Sequence, residues 1–369
     1  MAASPQRVLM SADTVGGVWT YALELAKALA PHGIEIALAT MGAPLSAHQR
    51  DQLRGARNVQ AYESAFKLEW MDDAWPDVAR AAGWLLMLEN EIDPDVVHLN
   101  GYVHGALPWR EPHMIVGHSC VLSWWRAVKR ESAPGSWKPY RTAVARGLQL
   151  ADLVAAPTRA MMCELQHHYG PLKSTVVIPN GRGHELYTSR HKRHSVLAAG
   201  RLWDEAKNIS ALDRAAARLS WPVYVAGDPA HPNGTRYQPD HLSLLGTLSE
   251  TELASQLAHA AIYALPARYE PFGLSILEAA LSGCALVLGD IPSLRENWLG
   301  AALFVPPDDI DALQSALTGL IGNEHRRRKL AALARLRATA FTPERMAAGY
   351  LCAYRQLLEK NKVTQAAVH

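Results

Sequence analysis

Hydrophobic and polar residues alternate along the chain in two patterns: short continuous apolar runs, and longer stretches with apolar residues at helical spacing. An apolar run of roughly four to eight residues is typical of a buried strand, and spacing of three and four residues is typical of an amphipathic helix. The runs predict strands at residues 7–12, 34–40, 59–63, 96–99, 113–118, 153–157, 175–178, 195–200, 222–227, 242–246, 261–265, 285–288 and 301–305.

Helical patterns lie between most of these strands, for example at residues 18–30, 75–91 and 140–150, and a last helix is predicted from 343 to about 359. Repeated alternation of strand and helix predicts an α/β fold, with parallel sheets covered by helices on both faces. In such sheets ligands bind beyond the carboxyl ends of the strands, so residues at those ends are the candidates for function.

The chain divides after the segment that ends in Pro179-Asn180-Gly181, because these residue types interrupt regular structure. The pattern of strand and helix then begins again. We therefore predict a first domain at residues 1–180, a linker at 181–194 and a second domain at 195–342. The helix within residues 343–369 follows the second domain.

The stretch 268–290 carries the most chemical information. It predicts a strand, a turn with Pro271 and Gly273, a helix that begins near Gly273, and another strand. The amides of Phe272, Gly273 and Leu274 would lie at the start of this helix, where the dipole favours a phosphate group.

Two glutamates flank the start of this helix. Glu278 would reach a ribose diol, and Glu270 lies where a sugar hydroxyl would meet it. The alternative is that both are ordinary carboxylates that complement the helix dipole.

This stretch resembles the donor-site signature of the family 4 glycosyltransferases, through Glu-Pro-Phe-Gly-Leu, the seven residues between the two glutamates, and the Leu-Glu-Ala-Ala-Leu-Ser-Gly that follows. The resemblance implies the GT-B architecture, in which two Rossmann-like domains face each other across a cleft. It also implies transfer of a sugar from a nucleotide-diphosphate donor with retention of configuration, without a metal or cofactor. The first domain would be the acceptor side, and the second would bind the donor.

The resemblance extends to other positions, and it implies that the helix within residues 343–369 returns to brace the first domain. It implies that Gly16 and Gly17 let the backbone approach the donor diphosphate, and that Arg201 and Lys207 neutralise that diphosphate. It assigns catalytic roles to His118 and Glu270, which would position the sugar; Phe272, Gly273, Leu274 and Glu278 complete the predicted donor site.

Each position also has a structural alternative: a tight connection at the glycines, a structural histidine, and surface cations. At the hinge Arg182 and Gly183 stand where the family has a hydrophobic residue and an aspartate, so no role of that aspartate is carried over.

Residues 121–138 are rich in tryptophan and basic side chains. They would either stack on a sugar acceptor and bind its anionic group, or pack as a loop with the charges in water. The sequence does not name acceptor-binding residues. It also leaves open the nucleotide base, the sugar, the linkage and the oligomeric state.

Composition narrows the setting of the protein. The 369 residues suffice for two domains, and 37 basic against 35 acidic side chains give a net charge of +2, which does not suggest binding to nucleic acid. The 4 scattered cysteines suggest a reducing, cytoplasmic setting without metal. We find no signal peptide and no membrane-spanning run, and peripheral contact with the inner membrane face is compatible with the basic cluster at 326–329.

Three other functions remain open at this point. A sugar phosphorylase and a nucleotide-sugar epimerase would use the same architecture. A non-catalytic nucleotide-sugar-binding protein would bind the donor without transferring or hydrolysing it.

Overall fold

The computed structural model describes residues 4–230 and 236–368, and their side chains as far as residue 361. Its contacts separate the chain into two compact units. Unit 1 comprises residues 1–123, 132–181 and 343–369, and unit 2 comprises residues 124–131 and 182–342.

Unit 1 is built on a seven-stranded parallel sheet in the order β3-β2-β1-β4-β5-β6-β7. The order reverses beside β1, as in doubly wound sheets, so that the carboxyl ends of β1 and β4 lie next to each other where ligands of such sheets bind. Its first elements are β1 Arg7–Asp13, α1 Gly17–Leu29, β2 Glu35–Met41, α2 Ala47–Arg54, β3 Val59–Glu63, α3 Trp75–Ile92, β4 Val96–Leu99, β5 His113–Val116, α4 Val121–Trp124, α5 Lys138–Leu150, β6 Leu153–Ala156, α6 Arg159–Tyr169 and β7 Thr175–Val177.

Unit 2 contains a six-stranded parallel sheet in the order β10-β9-β8-β11-β12-β13. The strands are almost entirely apolar because both faces of the sheet are covered by helices. Its elements are β8 Arg193–Ala199, α7 Ile209–Ala216, β9 Val223–Ala226, β10 Ser243–Gly246, α8 Glu250–His259, β11 Ala260–Leu265, α9 Leu274–Leu281, β12 Ala285–Gly289, α10 Pro292–Trp298, β13 Leu303–Val305, α11 Ile310–Ile321 and α12 Glu324–Ala338.

The last helix, α13 (Pro343–Val368), belongs to unit 1 although it follows unit 2 in sequence. Its buried face carries Met346, Tyr350, Tyr354 and Leu357, which pack with α1 and β4. The Tyr354 hydroxyl is also 2.8 Å from Nδ1 of the fully buried His98. The helix therefore completes one of the two apolar layers that cover the sheet of unit 1.

The predicted fold class is confirmed: both units are parallel-sheet α/β structures of Rossmann type. Each predicted strand is present with ends within two residues of those expected. The last helix runs nine residues further than the pattern indicated, to Val368. Among the residues that the structure describes, no helix is long and apolar enough to cross a membrane.

The segment 124–131 differs from the expectation, because the sequence placed it in the first domain and the structure places it in unit 2. It contains a π-helical turn, Trp125–Lys129. Side chains of the segment bond to carboxylates of unit 2: the Trp124 indole N–H donates to Asp204 at 3.2 Å, and Lys129 donates to Glu205 at 2.7 Å. Tertiary partners of this kind leave no trace in hydrophobic periodicity. Trp124 and Lys129, which the sequence suggested as groups that could bind an acceptor, are therefore bonded to carboxylates of the protein itself.

Candidate functional site

Lys207 and Glu270 form an ion pair in unit 2, with Lys207 Nζ 2.5 Å from Glu270 Oε2. Both side chains are largely buried, so water screens the pair less than it would at the surface. The Lys207 methylene groups pack beside Gly200, where a Cβ would be in ordinary contact with them at 3.4–3.5 Å. Ser293 donates to the Glu270 carbonyl oxygen at 2.5 Å and holds the loop from the other side.

Arg201 extends the same charged cluster. Its Nη2 lies 2.9 Å from Asp204 Oδ2, and its guanidinium is 5.2 Å from the centre of the Trp203 ring. Burial alone would raise the pKa of Asp204, but the charges of Arg201 and Lys207 hold that pKa below its ordinary value. Both predicted cations are thus close to Asp204, a residue that the sequence did not single out.

The predicted helix after Glu270 is α9, which begins at Leu274 with Gly273 as its N-cap. Gly273 has φ +89°, a conformation that favours glycine, and a Cβ there would also lie 2.6 Å from Ile276 Cδ1, so that side chain would have to shift. Phe272 and Gly273 are buried and Leu274 is partly exposed. The first amides of an α-helix have no acceptor within it, so this turn supplies donors for an anion beside Glu270.

Glu278 lies in the second turn of α9 and is buried. Its Oε1 accepts a hydrogen bond of 2.9 Å from Nε of Arg182, which the sequence marked only as a departure from the family motif. The structure thus gives the predicted ribose-binding carboxylate a cationic partner 96 residues away in the chain.

In unit 1, the exposed Gly16 and Gly17 lie where the turn after β1 leads into α1: Gly16 is the N-cap of the helix and Gly17 is its first residue. Gly16 has φ +85°, a conformation that side chains disfavour. The start of the loop is fixed by Thr14: its amide donates to the Met41 carbonyl at 2.9 Å, and its hydroxyl accepts from the Ala43 amide at 2.7 Å. The backbone is therefore open to a ligand at the glycines and held in place just before them.

His118 follows β5 and is held by a chain of hydrogen bonds across three strands. Asn100 donates from Nδ2 to the Ser11 carbonyl at 2.6 Å, which directs its Oδ1 to His118 Nε2 at 2.8 Å. An amide oxygen only accepts, so Nε2 carries the proton and Nδ1 of the neutral ring is an acceptor. Burial lowers the pKa of His118 to about 3, and the Tyr21 ring packs edge-on at 4.4 Å between centroids.

Asp13 and Glu69 add a pair of acidic side chains near the glycine turn, which the sequence did not indicate. Glu69 accepts from the amides of Tyr102 and Val103 at 3.1 and 3.0 Å. Burial raises the pKa of Glu69 to about 7. Burial together with the charge of Glu69 raises the pKa of Asp13 to about 8. At neutral pH the pair therefore holds protons that exposed carboxyls would have lost.

Asp13→Asn is expected to remove a loss of stability that the wild type shows as the pH rises. Between the unfolded pKa near 4 and the folded pKa near 8, the folded state binds more protons than the unfolded chain, so its free energy of unfolding falls as pH rises. The asparagine variant lacks this titration. Relative to the wild type it should gain about 4 kcal/mol between pH 5 and pH 9, which is about 1.4 kcal/mol for each pH unit up to the folded pKa.

Thermal unfolding of both proteins across this pH range measures the difference. Asp77→Asn is the matched control, because its pKa is lowered and the carboxyl stays ionised in both states throughout the range. Parallel curves for the wild type and Asp13→Asn would contradict the shifted titration.

Comparison with known proteins shows which protein families this chain matches. Residues 15–185 match the family model described as Glycosyltransferase Family 4, and residues 193–323 match the model described as Glycosyl transferases group 1. The chain is 27% identical to the D-inositol 3-phosphate glycosyltransferase of Corynebacterium glutamicum, over 85% of each chain.

Solved structures share the fold. Sucrose-phosphate synthase from Thermosynechococcus elongatus superposes with a TM-score of 0.79 at 19% identity, covering 96% of this chain and 100% of that one. Anabaena HepE, solved in complex with UDP-glucose, superposes with a TM-score of 0.71 at 17% identity, covering 97% and 99%.

Proposed function

We propose that this chain, which belongs to the family 4 glycosyltransferases, moves a sugar from a nucleotide-diphosphate donor to an acceptor hydroxyl with retention at the anomeric carbon. Family membership rests on the two models that together match residues 15–185 and 193–323. The donor class and the stereochemistry are the proposed part.

The charged cluster of unit 2 is the observation that carries the proposal. It brings Arg201, Lys207 and Glu270 together next to the first turn of α9. Two cations and a helix start make a strong site for a diphosphate. Anabaena HepE, which shares this fold and was solved in complex with UDP-glucose, supports a nucleotide sugar as the donor class.

Catalysis in this proposal is electrostatic. The bond between the anomeric carbon and the diphosphate oxygen breaks as the acceptor oxygen bonds to that carbon on the same face. The acceptor proton passes to the leaving phosphate oxygen. Arg201 and Lys207 stabilise the negative charge that develops there, Glu270 orients a sugar hydroxyl, and the neutral His118 ring accepts a hydrogen bond through Nδ1.

A ligand screen tests the donor class. Thermal unfolding of the full chain with UDP, GDP, ADP and dTDP, and with their glucose or mannose conjugates, should show stabilisation by at least one. Ligand at 100 times its dissociation constant raises the free energy of unfolding by about 2.7 kcal/mol. No stabilisation by any of them would overturn the proposal.

The stabilising donor then tests the reaction. Slow hydrolysis or transfer to an added alcohol should release nucleoside diphosphate, and NMR of the first-formed product should show the anomeric configuration of the donor. Inversion would refute the retaining mechanism. Binding without any turnover would favour a non-catalytic donor-binding protein. Sugar phosphate made from glycan and inorganic phosphate would favour a phosphorylase.

We also propose that the protein acts in the cytoplasm on a glycan, lipid-linked or small-molecule acceptor, in peripheral contact with anionic lipid. The supporting feature is α12, whose exposed face carries Arg326, Arg328, Lys329 and Leu336. Clustered basic side chains are attracted to the negative surface of anionic lipid. Sedimentation with phosphatidylglycerol vesicles, compared with phosphatidylcholine vesicles, tests the contact, and equal sedimentation would refute it.

A further inference from the structure

Arg182 is an almost fully buried cation at the start of the segment 182–342 of unit 2. Its Nε donates to Glu278 Oε1 at 2.9 Å, and its Nη2 donates to the Tyr187 hydroxyl at 2.6 Å and to Glu250. The Arg182 amide donates to the Phe341 carbonyl at 3.0 Å, so the backbone is fixed as well. The side chain is therefore held from several directions inside one unit.

The charges around Arg182 explain why it tolerates burial. A buried guanidinium is costly unless it is paired and hydrogen-bonded, and here Glu250 opens α8 while Glu278 lies in α9. The planar fork of arginine fixes the direction of each bond, which a lysine would not do. The Glu278 carboxylate is consequently confined to one orientation by a partner from outside its own helix.

Glu278 belongs to the same structural unit as the charged cluster. It lies on α9, whose N-cap is Gly273. Glu270 packs beside this N-cap, since a Cβ added to Gly273 would lie 3.4 Å from Glu270 Cγ. A carboxylate offers about four lone-pair positions, and the hydrogen bonds from Arg182 Nε and the Tyr187 hydroxyl use two of them. The remaining positions suit the paired hydroxyls of a ribose.

We infer that Arg182 is a positioning residue that holds Glu278 to receive the 2′- and 3′-hydroxyls of the donor's ribose, and thereby makes the site selective for ribonucleotides over 2′-deoxyribonucleotides. This inference rests on the proposed function, because it assumes a nucleotide donor at α9. Tyr187 supports the arrangement through its hydroxyl and through its ring, 5.2 Å from the guanidinium.

The protonation state of Glu278 is a second argument for this role of Arg182. Burial raises the pKa of the Glu278 carboxyl, and the charge of Arg182 opposes that rise. Without the cation, only the hydrogen bond from Tyr187 would oppose burial, and the neutral acid would be favoured. A neutral acid accepts weaker hydrogen bonds from hydroxyls than a carboxylate does.

The test compares ribo- and 2′-deoxyribonucleotides by isothermal titration, using the pairs UDP and dUDP, GDP and dGDP, and ADP and dADP. The wild type should bind the preferred ribonucleotide at least about 10-fold more tightly than its deoxy form, which corresponds to about 1.4 kcal/mol. Arg182→Gln should reduce this ratio to about threefold or less. Inorganic pyrophosphate, which lacks a ribose, should bind the variant and the wild type equally.

Arg327→Gln is the matched control. Arg327 is also a buried arginine of unit 2, bonded to the Leu320 carbonyl at 2.6 Å and stacked on Trp221, with no bond to Glu278. Its loss should lower the melting temperature but leave the ribose ratio unchanged. A purely structural role of Arg182 predicts the same behaviour for Arg182→Gln.

The outcomes separate the two proposals. Should Arg182→Gln fail to fold, Arg182→Lys, which keeps the charge but lacks the fork, should still lower the ratio at least about threefold. An unchanged ratio in the folded variant overturns the inference. A wild type that binds nucleoside diphosphates without preferring ribose overturns the inference alone, whereas a wild type that binds none overturns the proposed function with it.

Discussion

Glu270→Ala is expected to abolish sugar transfer while leaving the fold intact. The substitution removes the carboxylate that holds the Lys207 ammonium at 2.5 Å and that would orient the sugar hydroxyl. Loss of one preorganised charged group at a reacting centre typically lowers kcat by about 10²–10³-fold. Single-turnover transfer, measured with the donor that stabilises the wild type, gives the size of the effect, and circular dichroism checks the fold.

Glu324→Ala serves as its control, because Glu324 also pairs with an arginine, Arg328, but does so on the exposed face of α12. This variant should transfer sugar at the wild-type rate. Turnover near the wild-type level in Glu270→Ala would remove Glu270 from the mechanism and leave the ion pair with a structural role.

Gly147→Ala is expected to destabilise the protein by about 3 kcal/mol or more. Gly147 lies in α5, where a Cβ would stand 1.9 Å from the Tyr102 carbonyl oxygen and 2.9 Å from its carbonyl carbon. The obstacle is backbone, so no side chain can rotate away to relieve it. Thermal unfolding should therefore show a large drop in melting temperature.

Gly83→Ala should have the opposite effect. Gly83 is an exposed glycine inside α3, with nothing within 4 Å of an added Cβ. Alanine favours the helix over glycine, so this variant should gain up to about 1 kcal/mol in its free energy of unfolding.

Equal melting temperatures for Gly147→Ala and the wild type would contradict the prediction. They would show that α5 can move away from the 3₁₀ turn Val103–Ala106 at little cost.

The elements of the fold were predictable because each is signalled locally. The helical spacing that begins near Gly273 appears in the structure as α9, and the apolar run 285–288 appears as β12. Each of these signals is contained within a few neighbouring residues of the sequence. The helix α13 was less well bounded, since no proline or glycine marks its end before residue 368. The restart of the pattern after Gly181 indicated two domains, and the family resemblance added their type, the Rossmann-like domains of the GT-B architecture.

The site was predictable only in part. Sequence singled out Arg201, Lys207 and Glu270, which the structure brings into one cluster around Asp204. The partners that hold predicted residues in place were not visible: Asn100 lies 18 residues from His118 and Arg182 lies 96 residues from Glu278. Such pairs are created by packing of distant elements. The one available signal was that Arg182 departs from the family motif.

The place of α13 has a consequence for how the protein is made. Its Tyr350 and Tyr354 are part of the apolar layer that also contains residues of α1 and β1. During synthesis the polypeptide emerges from its amino end, so the first Rossmann-type sheet appears long before the segment that finishes covering it. Unit 2, whose residues all precede 343, can complete its own core first, and the earlier-translated half of the enzyme matures last.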